Sequence, residues 1–286
     1  MTTAITTPHA PSAAGATVRP TARLTFANIL HSEWIKLTSL RSTVWSLALI
    51  VVLGIGLSLM ITVLNSTIDV MAESSPSIVL TTTTIGIAFG QLIAAVLGVL
   101  VISGEYSTGM IRSTLAAVPS RLAVLAAKAV VLFVLVTTAG LLTMFGSWAA
   151  TYPVLENQGN AVGLGDEGFA VALVGAALYL GLTAVFALGL GTLLRSAAGG
   201  IAAALGVVLI LNTVVPVIGF AVEWVSDISP YLFSNAGVAM AQLPSADGNS
   251  LETVGLLEPG WGALVVVAWT LVSLILGAIR LQKQDA

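Results

Sequence analysis

Six runs without a single charged residue, each long enough to cross a hydrocarbon core as a helix, decide what this chain can become. They are Val44 to Leu64, Thr82 to Ser103, Ala129 to Ala150, Ala170 to Leu194, Ala198 to Phe220 and Gly260 to Ile279. A bilayer core takes about 20 helical residues. It offers no water to backbone amides, so only helices and closed barrels satisfy their own polar groups there. Barrel strands would read as alternating segments of about ten residues, and no such alternation is present. Composition agrees: 8% of the 286 residues are charged and 57% are hydrophobic, against roughly a quarter charged in a soluble domain. The expected fold is an all-α integral membrane protein with six transmembrane helices.

Lysine and arginine set the orientation of such a bundle. Arg19, Arg23, Lys36 and Arg41 precede the first run; Arg112, Arg121 and Lys128 lie between the second and third; Arg195 follows the fourth; Arg280 and Lys283 follow the sixth. All ten fall on one side, and ten of the acids fall on the other. Both termini are therefore expected in the cytoplasm. Trp45, Trp148, Trp224 and Trp261 stand at the expected interfaces, where an amphipathic indole is favoured.

Residues 1–22 begin "MTTAITTPHAPSAAGATVRP" and carry no apolar block, which predicts a disordered cytoplasmic tail ahead of a six-span domain over 23–286. From Arg23 to Thr43 an apolar face (Phe26, Ile29, Leu30, Trp34, Leu37, Leu40) opposes a polar one (Asn28, Ser32, Lys36, Ser39). That pattern predicts an amphipathic helix lying in the membrane interface. Glu33 interrupts its apolar face; Lys36 and Arg41 suit lipid phosphates. Such a helix is either a juxtamembrane anchor or a lever that moves with the first span.

Small residues mark close helix contacts. Gly86, Gly90, Ala94 and Gly98 recur at every fourth position in the second run, and Ala198, Ala202 and Gly206 do so in the fifth. Pro216 predicts a bend in the outer half of the fifth span, because it leaves the carbonyl of Asn212 without a donor. Gln91 and Asn212 are polar at mid-membrane. They are candidates for a substrate pathway, or for hydrogen bonds between helices.

Catalytic constellations are missing from the sequence. Histidine occurs only at His9 and His31, outside the runs, and there is no cysteine. A Ser–His protease within the membrane and a metal centre are therefore not expected. No charged group lies inside a run to relay protons, which disfavours ion-driven transport. The lysines stand in "EWIKL", "LAAKAV" and "RLQKQ", none of them a phosphate-binding loop. No cofactor, metal or nucleic-acid partner is expected for this chain.

One connector is too charged for its neighbourhood: "GEYSTGMIRSTLAAVPSR", Gly104 to Arg121, holds Arg112 and Arg121. Glu105, Gly109 and Arg112 would share a face if the second span continued as helix. Pro119 ends that helix, and Ser120 suits the N-cap of the next. Its charge either fixes topology or serves an interface.

Three stretches in this order around six spans resemble the permease subunit of type-2 ABC exporters: "EWIKLTSLRST" before the first span, "GEYSTGMIRSTLAAVPSR" after the second, and "SPYLFSNAGVAM" before the sixth. The resemblance covers nearly the whole chain after residue 23. It implies a homodimer or heterodimer of permeases joined to separate ATP-binding subunits, with ATP and magnesium held by those partners, in a bacterial plasma membrane. It also implies that Gly104, Glu105, Gly109, Arg112 and Arg121 belong to a helix that docks on the ATPase. Glu33, Trp34, Lys36 and Arg41 would belong to a connecting helix, and the third stretch to short outer helices. Ser229 and Pro230 independently predict a helix start in that third stretch. A carrier or channel working without ATP is the alternative.

Overall fold

The computed structural model describes residues 25–67, 76–110, 120–166, 168–219, 221–243 and 257–283. The N-terminal tail and Arg112 lie outside these. Among the described residues all regular structure is helical: α1 (Phe26–Ser39), α2 (Arg41–Thr67), α3 (Pro76–Thr84), α4 (Ile87–Ser107), α5 (Arg121–Glu156), α6 (Phe169–Leu194), α7 (Ala197–Leu205), a π-helical segment (Gly206–Leu211), α8 (Asn212–Gly219), α9 (Glu223–Ser226), a 3₁₀ turn (Ser229–Tyr231), α10 (Phe233–Met240) and α11 (Pro259–Lys283). Six spans follow, formed by α2, α3–α4, α5, α6, α7–α8 and α11. Each expected run falls on one of them.

The fourth span, α6, is the hub. Of its most apolar window 72% is buried within the chain, against 17% for the fifth span. Glycine lets neighbours reach it. A Cβ on Gly98 of α4 would strike the carbonyl of Ala184, one on Gly140 of α5 would come within 3.0 Å of the Ala177 Cα, and Gly277 of α11 lies against the Gly189 carbonyl. In lipid such packing replaces the hydrophobic effect as the force between helices.

Two spans depart from the expected continuity. The second breaks at Ile85–Gly86, between α3 and α4. There a Cβ on Gly86 would lie 2.5 Å from the Gly54 Cα, and Ser58 Oγ donates to the Thr83 carbonyl at 2.8 Å. Contact with the first span is thus made backbone to backbone. Gly90 meets Leu180 and Ala94 is fully buried, so the small-residue row of this span packs within one chain.

In the fifth span the irregularity begins ahead of Pro216, as the π-helical turn Gly206–Leu211. The buried residues of α7 are Gly200 and Ala204; Ala202 is exposed, and a Cβ at Gly206 would meet nothing within 4 Å. The row Ala198, Ala202 and Gly206 therefore faces away from the rest of the chain.

Ser229 opens a 3₁₀ turn with Pro230 in its first positions, and the longer helix α10 starts only at Phe233. The Asn235 amide donates to the Ser229 carbonyl at 2.8 Å, which closes the corner between them.

A buried charge cluster at the basic end

The ends of α1, α4, α5, α6 and α11 on the basic side of the bundle are bound together by side chains. α1 starts at Thr25, whose hydroxyl accepts from the Asn28 amide. Its buried residues are Ile29, Glu33 and Leu37, a single row with four-residue spacing that puts an acid at the centre of the packed face. Of the apolar face read from the sequence, Phe26, Trp34 and Leu40 are exposed on the surface of the chain.

The partner of Glu33 in the bundle is Lys128. α5 begins at its expected N-cap, Ser120, whose Oγ accepts from the Ala123 amide. Lys128 therefore sits about 10.5 Å along the helix from Arg121, and it is 1% exposed. Its ammonium donates to Glu33 Oε2 at 2.6 Å and to Glu105 Oε1 at 2.9 Å. Lys36 completes the group, 2.7 Å from Glu33 Oε1 and 3.5 Å from Glu105 Oε1. Glu33 is 1% and Glu105 4% exposed, whereas the Lys36 side chain is 31% exposed.

The cluster is formally neutral, with two carboxylates and two ammonium groups. Burying such ions costs several kcal/mol each, recovered only with close, hydrogen-bonded geometry. The bonds at Glu33 meet that condition, whereas Glu105 Oε2 is buried without a hydrogen-bond partner among the described residues. Burial by itself would raise the Glu33 carboxyl, but Lys128 and then Lys36 outweigh it and hold it below 4.5, its ordinary value. Burial likewise opposes the charge on Lys36, and Glu33 and Glu105 prevail, raising it above 10.5.

α4 ends just beyond Glu105, at Ser107, and the chain turns at Gly109 with φ +71°. The helix does not run on through Gly109. Gly104 is exposed, and a Cβ there would meet nothing within 4 Å. Arg121 turns to the sixth span, where its Nη1 donates to the Leu281 carbonyl at 2.9 Å. Arg195 Nη2 donates to the Arg280 carbonyl at 3.4 Å while its guanidinium lies 5.4 Å over the Tyr106 ring. Two connectors thus cap the carbonyl end of α11, where positive charge is favoured. Arg41 is exposed at the start of α2.

At mid-bundle, the Tyr179 hydroxyl donates to Gln91 Oε1 at 2.6 Å. Gln91 therefore joins the second span to the fourth. Asn212 stands where the π-helical turn gives way to α8; its Oδ1 is enclosed and has no hydrogen-bond partner among the described residues.

Lys128 is the residue that sequence reasoning missed as a site. Its signal was available: in "RLAVLAAKAVVLF" it is flanked by apolar residues on both sides, and Glu33 breaks an apolar face upstream. Each charge is anomalous alone, and together they are a pair.

Residues 27–286 match the model of a family described as "ABC-2 family transporter protein". No curated protein matches the chain.

Proposed function

This chain belongs to the ABC-2 transporter family, and from that premise we propose that it forms the substrate pathway of an ATP-driven exporter, coupled to a separate ATP-binding subunit. Membership of this family makes the chain a membrane-spanning permease component of an ABC transporter. In the proposal two permeases pair, the basic end faces the cytoplasm of a bacterium, and substrate moves outward from the cytoplasm or inner leaflet. ATP and magnesium are bound by the partner, and this chain contributes positioning and motion.

The observation that carries the coupling is the bond from Glu105 to Lys128. Glu105 lies one turn before Gly109, where the connector Gly104 to Arg121 leaves the membrane helix. A push on that connector reaches Lys128 through a rigid buried contact, then Glu33 on α1, and through the short link at Leu40 the first span. The cluster makes the connector, α1 and the third span move as one body. Packed interfaces of this kind shift between discrete arrangements.

Because the chain has no cysteine, Gly109→Cys supplies a single thiol at the connector. In native membranes a thiol-to-amine cross-linker should join it to a protein with a phosphate-binding loop. Cross-links to other proteins alone, or none, would contradict the docking role.

A further inference from the structure

We propose that a groove between α1 and the third span holds one acyl chain of an anionic phospholipid, which braces the interfacial helix against the bundle. The groove is lined by Leu30, His31 and Trp34 of α1 and by Val130, Val131 and Val134 of α5. Its volume is about 400 Å³, within the range of about 300–1,000 Å³ common to ligand clefts. Five of the six lining side chains are apolar or aromatic, so water gains few partners there.

What fills it follows from where it opens. Val130 and Val134 are 47% and 43% exposed on a span apolar enough to cross a membrane, so hydrocarbon lies beside the groove. The ion cluster sets the level: Lys128, one turn before Val131 and Leu132, is buried among charges at the basic end. The groove therefore runs from the interface inward, the direction of a lipid tail. At its α1 wall stand an imidazole and an indole N–H, donors suited to the ester and phosphate level of a bilayer.

Charge selects the headgroup. Glu33, the only acid of α1, and Lys36 offset each other within the neutral cluster, which leaves Arg41, exposed at the junction with α2, as the charge presented outward. That charge is basic, complementary to a phosphate without a compensating amine. This inference does not depend on the transport reading, and a failed lipid test leaves that reading untouched.

Native mass spectrometry of the full chain in mild detergent, titrated with phosphatidylglycerol or phosphatidylcholine, tests it. The wild type should retain one phosphatidylglycerol per chain, at least about tenfold more tightly than phosphatidylcholine. Val134→Trp and Val130→Phe, which fill the groove from its exposed side, should each lose that lipid. Leu142→Trp, at an exposed position of the same span, should keep it. Retention by both groove variants, equal loss in all three, or no preference between headgroups would each overturn the proposal.

Discussion

Replacing Lys128 with methionine removes the centre of the cluster and leaves two buried carboxylates, Glu33 and Glu105, with only the partly exposed Lys36 between them. Breaking a buried ion pair from one side typically costs about 3–5 kcal/mol, equivalent to a factor of roughly 10² to 10⁴ in a local equilibrium. α1 is where that cost should fall, since the face it buries against the bundle is the row Ile29, Glu33 and Leu37. An Ile29→Cys reporter, at a position 8% exposed in the native chain, measures the docking directly: its rate of reaction with a thiol reagent follows the population of detached helix. Lys128→Met should raise that rate at least about a hundredfold, the lower end of that range. Adding Glu33→Gln and Glu105→Gln removes the stranded charges and should restore most of the protection, because a fully neutral substitute for a buried ion cluster is often tolerated. Unchanged protection in Lys128→Met would show that the cluster does not hold α1 on the bundle. So would a triple variant that reacts as fast as the single one.

Docking of α1 should also depend on pH at both extremes. Glu33 is lowered in the fold, so its contribution is present above 4.5 and is lost as pH falls through its folded value. Lys36 is raised, so its contribution is complete below 10.5 and is lost as pH climbs through its folded value. Amide hydrogen exchange of α1, corrected for intrinsic rates, should show a plateau between these limits and a loss of protection outside them. Gly98→Leu should prevent stable packing of the second span on the fourth, since even a Cβ there meets the Ala184 carbonyl; overpacking costs about 1–3 kcal/mol where side chains yield, and a backbone obstacle should exceed that range in denaturant unfolding. For topology, a cysteine at Gly159 should react with an impermeant thiol reagent in intact cells and one at Ala197 should not.

The spans were legible because membrane burial writes a long, simple signal: six uncharged runs became six helical spans, the start of the third lying eight residues before its run. The jointed spans were less so. The break at Gly86 depends on its contact with Gly54, and the π-helical turn begins at Gly206, well before Pro216; neither is encoded by local spacing. Ser120 announced its helix because an N-cap is a local device, whereas Ser229 became the first residue of a 3₁₀ turn held by Asn235. At the cluster, Glu33, Lys36 and Glu105 drew notice singly, yet their partner Lys128 was assigned to topology alone. Its role depends on three segments meeting in space, and a period along one helix carries no trace of that.

Drive by a separate ATPase, as proposed for this permease, is open to measurement. The tagged chain is purified from native membranes in mild detergent, with each copurifying protein identified and counted. A protein with a phosphate-binding loop should be present in equal amount with the permease, and its ATP hydrolysis should change when Lys128→Met loosens α1. Reproducible absence of any such protein, together with solute movement by the purified chain alone that ignores ATP, would contradict it.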